Sequence, residues 1–177
     1  MPNLGYSGLD KHVFEKINFD QLLSLINSKN AVPVFFAFSS CVWCQEYISY
    51  LNNCAIDFDV EKIYYFNPKE IRTYFFDKDL GKVVLNEYFS KLLDTIGIEN
   101  VATKAYCDID NLDDLCDNKE VFSWLYVPIL YIFQEGKVLG SYNGPKTHEK
   151  VNGFLRKLNN SEKEELVGNY NALLSLL

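Results

Sequence analysis

Apolar positions along this chain follow two regimes. Some form short unbroken runs that suit buried strands; others recur at spacings of three and four that suit one face of a helix. After Asn18, a good N-cap residue, Phe19, Leu22, Leu23 and Ile26 take the second spacing and predict a helix over 19–28. Ala31–Ser39, rich in Val and Phe, predicts a buried strand, with Pro33 near its start where a missing N–H is tolerated. Val42–Asn53 predicts a second helix, with Cys54 just past it as a small buried side chain. Lys62–Asn67 predicts a strand stopped by Pro68. Arg72–Phe76 reads as extended, and Val84–Ile96 as an amphipathic helix closed by Gly97. Ala105–Ile109 predicts a short strand, and Phe122–Tyr126 leads into another at Val127–Phe133. Gln134-Glu135-Gly136-Lys137 reads as a hairpin turn, with Val138–Tyr142 as the partner strand. Thr147 is placed to cap a helix with Val151, Phe154, Leu155 and Leu158 on one face. Ser161–Leu177 predicts one more helix, opened by a Ser161-x-x-Glu164 capping box.

Composition narrows the class. The 177 residues are 48% hydrophobic and 15% aromatic, enough for a real core and against disorder. This predicts a single domain over 1–177: a lead-in at 1–17, an enlarged middle segment at about 68–123, and an extra C-terminal helix at 161–177. The net charge of −7 argues against a nucleic-acid or membrane surface as partner. The longest uncharged apolar stretches, Ala31–Gln45 and Val121–Gln134, are shorter than the roughly 20 residues of a spanning helix. Residues 1–20 carry several charges and no apolar signal core, which predicts a cytoplasmic, reducing location. Removal of a leader would instead mean an extracytoplasmic one.

Chemistry concentrates at Cys41-Val42-Trp43-Cys44, where the predicted strand hands over to the predicted second helix. Free backbone N–H groups and the positive end of the helix dipole stabilise a thiolate there. Cys-x-x-Cys thiols in such places have pKa values lowered to roughly 3.5–7.5. Cys41 is the predicted exposed, attacking sulfur, and Cys44, one turn further in, the resolving one. Trp43 lies between them with Val42; its ring either shields the sulfurs or contacts a partner, or it simply packs against the domain surface. Half a zinc site is the alternative for the pair, but a structural site needs two more ligands. The sequence offers only Cys54, Cys107, Cys116, His12 and His148, none in a second Cys-x-x-Cys. The Asp/Asn-rich run Asp108–Asn118 lacks the Gly and Glu spacing of a calcium loop and reads as a solvated turn. Lys62 stands near the strand that backs the thiols, Tyr47 and Tyr126 read as core or rim aromatics, and His148 as a solvated residue. Cys107 and Cys116 read as free thiols, with a second disulfide as the alternative.

A strand, Cys41-x-x-Cys44 opening a helix, Val127-Pro128 entering a hairpin, then Gly136, Asn143-Gly144 and a late helix form a set that resembles the thioredoxin superfamily over about 19–158. The resemblance implies an α/β fold with a central mixed sheet flanked by helices, and an insertion between the second helix and the proline strand. It implies that Pro128 is cis and lies against the cysteines, with the backbone of Val127 pairing to a substrate's extended chain. The chain departs from thioredoxin in two ways. Val42-Trp43 replaces Gly-Pro, and Phe35 stands where a buried Asp assists proton transfer. Ile63–Asn67 and Ala105–Ile109 compete for one central sheet position, and Gly97–Ala102 imitates the approach to the proline with Ala in its place. Ile63-Tyr64-Tyr65-Phe66-Asn67 resembles thioredoxin-like accessory proteins encoded beside bacterial bacteriocin genes, a thiol-disulfide isomerase-like branch.

The resulting expectation is a thiol–disulfide oxidoreductase or isomerase with catalytic Cys41 and Cys44. Val127, Pro128, Trp43 and Val42 bind the substrate. Protein disulfides and a reductase or oxidase are the partners, with no cofactor and no metal. The alternative is a non-catalytic adaptor of the same fold that holds a specific partner protein.

Overall fold

The computed structural model describes residues 12–106, 120–151 and 154–177. In chain order the elements are β1 (Phe14–Lys16), α1 (Phe19–Ile26), β2 (Val32–Phe36), α2 (Val42–Asp57), β3 (Ile63–Phe66), β4 (Tyr74–Asp77), β5 (Lys82–Leu85), α3 (Glu87–Ile96), β6 (Ala102–Tyr106), β7 (Glu120–Trp124), β8 (Ile129–Gln134), β9 (Lys137–Tyr142), β10 (Lys150–Val151), β11 (Phe154–Leu155) and α4 (Asn160–Leu174). They fall into two compact units: the chain up to Asn67 together with Val127–Leu177, and Pro68–Tyr126.

The first unit is built on a five-stranded mixed sheet in the order β1-β3-β2-β8-β9. β1, β3 and β2 run parallel, while β8 and β9 run antiparallel to their neighbours. Every residue of β2 is buried, as are the first five of β8. This explains their unbroken apolar runs: a strand covered on both faces has no solvent side to alternate with. Asn18 starts α1 as a reciprocal capping box with Gln21, each side chain accepting from the other's backbone at 2.9 Å. α2 packs on α4, which also lies over β9. Gly140 of β9 permits that approach, because a Cβ there would stand 2.7 Å from Leu173 Cδ2.

The register sets the site. Phe36, the last residue of β2, faces Ile129, the first of β8. The Val127–Pro128 bond, which is cis, therefore falls at the end of the sheet where β2 runs out toward Cys41.

The central strand beside β2 is β3; β6 pairs with β7 in a separate two-stranded ladder. The strand read at 105–109 begins earlier, at Ala102, and its residues from 107 on lie outside the described ones, as do Cys107, Cys116 and the Asp108–Asn118 run. The helix read over 84–96 starts only at Glu87, with Val84 and Leu85 in β5. Asn86 makes the break, its Oδ1 accepting from Tyr88 and Phe89 N–H at 3.0 and 3.4 Å. Cys54 lies inside α2, which runs on to Asp57, and it is buried. The final helix opens not at Ser161 but on an Asn159/Glu162 capping box. The helix expected after Thr147 is absent from the described residues; Lys150–Val151 and Phe154–Leu155 pair instead as a small antiparallel ladder.

The second unit holds the β4–β5 hairpin, α3 and the β6–β7 ladder. Its interior is aromatic: Trp124 meets Tyr74, Phe89 and Phe122 edge-on at 5.1–5.8 Å. Lys104 Nζ lies 4.4 Å from the Tyr74 and Trp124 ring centroids.

Candidate active site: a cysteine pair at a helix start

Cys41 is the N-cap of α2. Its Sγ accepts from the Cys44 backbone N–H at 3.2 Å, taking the role an Asn or Ser oxygen usually plays there. The turn before it is held by Cys41 N–H to Phe38 O at 3.1 Å and Gln45 Nε2 to Ser39 O at 2.6 Å. On its other side the Cys41 Sγ lies 3.8 Å from the carbonyl oxygen of Val127. Cys41, Cys44 and Cys54 are all free thiols.

The expected exposure of Cys41 needs correcting: the residue is only 7% exposed. Its side chain turns inward to cap the helix and meets the Val127 carbonyl, so little of it faces water. Cys44 is deeper, at 3%. Burial above all, then the hydrogen bond to Cys41 and the charge of Cys41, pushes the Cys44 thiol well above its ordinary range. In this arrangement Cys44 holds its proton more tightly than an ordinary thiol, while the Cys44 N–H at the start of α2 is aimed at the Cys41 sulfur.

Val42 is exposed on the first turn of α2. Trp43 is half-buried, and Lys150 Nζ stands 4.9 Å from its ring centroid. Val127 packs against the same core cluster as Trp43. Phe35 is wholly buried, so the position read as lacking an acid is indeed filled by an apolar ring. Lys62 forms an exposed ion pair with Glu15 at 2.6 Å, at the opposite end of β3 from the sulfurs. Tyr126 is exposed. Among the described residues, no three His, Cys, Asp or Glu side chains gather as a metal site would require, and no helix is long and apolar enough to cross a membrane.

His148, read as solvated, and Glu162 belong to a buried polar network. His148 is 6% exposed and Glu162 is 2% exposed. The Tyr47 hydroxyl lies 2.7 Å from His148 Nδ1, and His148 Nε2 lies 2.7 Å from the Arg156 carbonyl oxygen. A carbonyl only accepts, so Nε2 carries hydrogen, and Nδ1 shares the second hydrogen bond with the Tyr47 hydroxyl. Arg156 grips Glu162 with both terminal nitrogens, at 2.7 and 2.5 Å, and Thr147 donates to the same carboxylate at 2.9 Å. The Arg156 hydrogen bonds foremost bring the Glu162 carboxyl down to about 2. Burial raises the Tyr47 hydroxyl, with the charges of Glu162, Glu46 and Cys41 adding to it. The sequence signal for this network was the Asn143-Gly144-Pro145 break. Gly144 has φ +105, and a Cβ there would run into the Tyr47 ring.

No family model matches the sequence, and no curated protein matches it. A chain from a structural study of the thiol resolving mechanism in yeast mitochondrial 1-Cys peroxiredoxin via glutathione/thioredoxin systems is similar over 76% of this chain and 88% of that one. The identity is 12% and the TM-score 0.41. A likeness of that degree assigns no activity.

Proposed function

We propose that this protein is a thioredoxin-like thiol–disulfide oxidoreductase acting on protein disulfides, with Cys41 as nucleophile and Cys44 as resolving thiol. One observation carries the reading: the Cys41 sulfur caps α2, 3.2 Å from the Cys44 N–H, while facing the Val127 carbonyl at 3.8 Å. The order of the sheet and the place of the pair at the end of β2 support the superfamily assignment. On this reading the Pro68–Tyr126 unit is an elaboration inserted before the proline strand.

The chemistry balances within the two thiols and the substrate. The Cys41 thiolate attacks one sulfur of the substrate disulfide. The substrate S–S bond breaks, a Cys41–substrate disulfide forms, and the first substrate sulfur leaves as thiolate and takes a proton. Cys44 then loses its proton and attacks the Cys41 sulfur, releasing the second substrate thiol. Two electrons pass to the substrate, and a Cys41–Cys44 disulfide remains for a thiol-bearing redox partner to reduce. Val127 and Pro128 border the attacked sulfur, and Val42 and Trp43 flank it, so these four contact the substrate chain. Reduction of insulin by dithiothreitol tests this. The wild type accelerates precipitation and Cys41→Ser does not; equal rates would remove the catalytic assignment.

The low exposure of Cys41 favours one second reading, an adaptor that binds a partner without turnover. On that reading Cys41→Ser and Cys44→Ser both keep partner binding in pull-down, while a bulky residue at 127 abolishes it.

A further inference from the structure

The end of the sheet away from the cysteines holds a cavity of about 560 Å³, a size that suits a small molecule. β2 begins there, with Val32 and Pro33 in the wall, and runs out toward Cys41 at its other end. Leu25, Val60 and Leu174 add to the apolar part of the wall. Phe58 also lines it and is exposed, a large ring that the core leaves open to water.

The rest of the wall is negative. Leu25, Phe58 and Leu174 bring the cavity to the carboxyl ends of α1, α2 and α4, and none of these helices has a basic residue in its last turn. The negative end of each dipole thus has no counter-charge from its own helix, and a cation at such an end gains about 0.3–1 kcal/mol. Asp59 and Glu61, between α2 and β3, line the same cavity, and neither forms an ion pair among the described residues. Lys62, also in the wall, is held by Glu15 at 2.6 Å and lies over the Tyr64 ring, so its charge is already met.

These features select the occupant. An anion would face both carboxylates and three helix carboxyl ends. A metal ion needs more ligands, and among the described residues no three His, Cys, Asp or Glu side chains gather to supply them. A cation on an apolar body fits both halves of the wall. Its charge meets Asp59 and Glu61, its body displaces water from Pro33 and Leu174, and Phe58 supplies an aromatic ring that a cation can sit against. The net charge of −7 draws cations toward the chain as a whole.

We propose that this cavity binds a small organic cation, an amine or quaternary ammonium carried on an aromatic or aliphatic body. The site lies at the opposite end of β2 from the cysteine pair, and it does not depend on the redox reading.

The probe is monodansylcadaverine, a primary ammonium on a dansyl-bearing chain, titrated into the full-length protein at low salt and read by dansyl fluorescence. Two comparison compounds carry the same dansyl group, one on a neutral butyl chain and one on a hexanoate chain that ends in a carboxylate. The ammonium compound saturates and binds about tenfold tighter than the butyl compound, and the carboxylate compound binds more weakly still. Asp59→Asn and Glu61→Gln each weaken the ammonium compound about threefold, and together about tenfold, with the butyl compound unaffected. Asn tolerates the left-handed backbone that Asp59 adopts at φ +53, so the first substitution suits the fold, which far-UV circular dichroism checks. Cys41→Ser binds the ammonium compound as the wild type does. No saturable binding, equal affinity for the three compounds, unchanged affinity in the Asp59→Asn/Glu61→Gln protein, or loss of binding in Cys41→Ser would overturn the proposal.

Discussion

The sulfur of Cys41 lies 3.8 Å from the carbonyl oxygen of Val127, although the two residues are 86 positions apart in sequence. The pairing of β2 with β8 creates this contact, and α2 holds the sulfur there through the Cys44 N–H. A single turn of helix thus separates a thiol held against backbone dipoles from one that burial and its neighbour's charge keep protonated.

The two thiols therefore differ in reactivity. Under limiting iodoacetamide at neutral pH, mass spectrometry finds Cys41 carboxamidomethylated first, with Cys44 and Cys54 lagging by orders of magnitude, since only thiolates react. Equal labelling of Cys41 and Cys44 would contradict the division of roles.

Removing the Tyr47 hydroxyl leaves the buried His148 Nδ1 without its hydrogen-bond partner. Tyr47→Phe lowers stability by about 1–3 kcal/mol, seen as an earlier urea midpoint. An unchanged midpoint would mean that the hydrogen bond contributes nothing.

Glu162 sets a pH dependence whose sign follows from its lowered carboxyl. Its value falls from the ordinary 4.5 to about 2, chiefly through the Arg156 hydrogen bonds, so the folded state favours the ionised form. That contribution is complete above about pH 4.5 and is lost as pH falls toward 2. The difference in thermal midpoint between wild type and Glu162→Gln is greatest near neutrality and shrinks across that acid window. A difference independent of pH would place the effect in packing.

Gly144 answers to both backbone and space. A side chain there adopts φ +105, costing about 1–3 kcal/mol, and meets the Tyr47 ring, costing about 1–3 kcal/mol more. Gly144→Ala shifts the unfolding midpoint sharply downward and Gly168→Ala, in open space on α4, leaves it in place or raises it. A similar shift for both variants would contradict the close approach.

The elements that surround the sulfurs were legible because their local signals agree. Asn18 caps α1, β2 is apolar throughout, and the Cys-x-x-Cys sits at the change of period. The region after Thr147 misled because Val151, Phe154, Leu155 and Leu158 fit a helical stripe. However, Lys150–Val151 and Phe154–Leu155 pair as antiparallel strands instead. The burial of Glu162 had no sequence signal because its partner, Arg156, sits within that misread segment. His148 was hidden for the same reason, since a buried histidine is recognisable only by its partners, Tyr47 and the Arg156 carbonyl. Val84 and Leu85 joined a helical pattern that Asn86 interrupts; the cap outweighed the spacing. The inward turn of the Cys41 side chain has no signature in the sequence, because it depends on Val127 arriving from a strand 86 residues later.

The most direct measurement is equilibration of the wild-type protein against defined ratios of reduced and oxidised glutathione, followed by differential alkylation and mass spectrometry. A single two-electron transition that joins Cys41 to Cys44, with Cys54 remaining a thiol throughout, is the predicted result. Cysteines 41 and 44 that stay unjoined across the whole range, or a disulfide that takes Cys41 elsewhere, would contradict it.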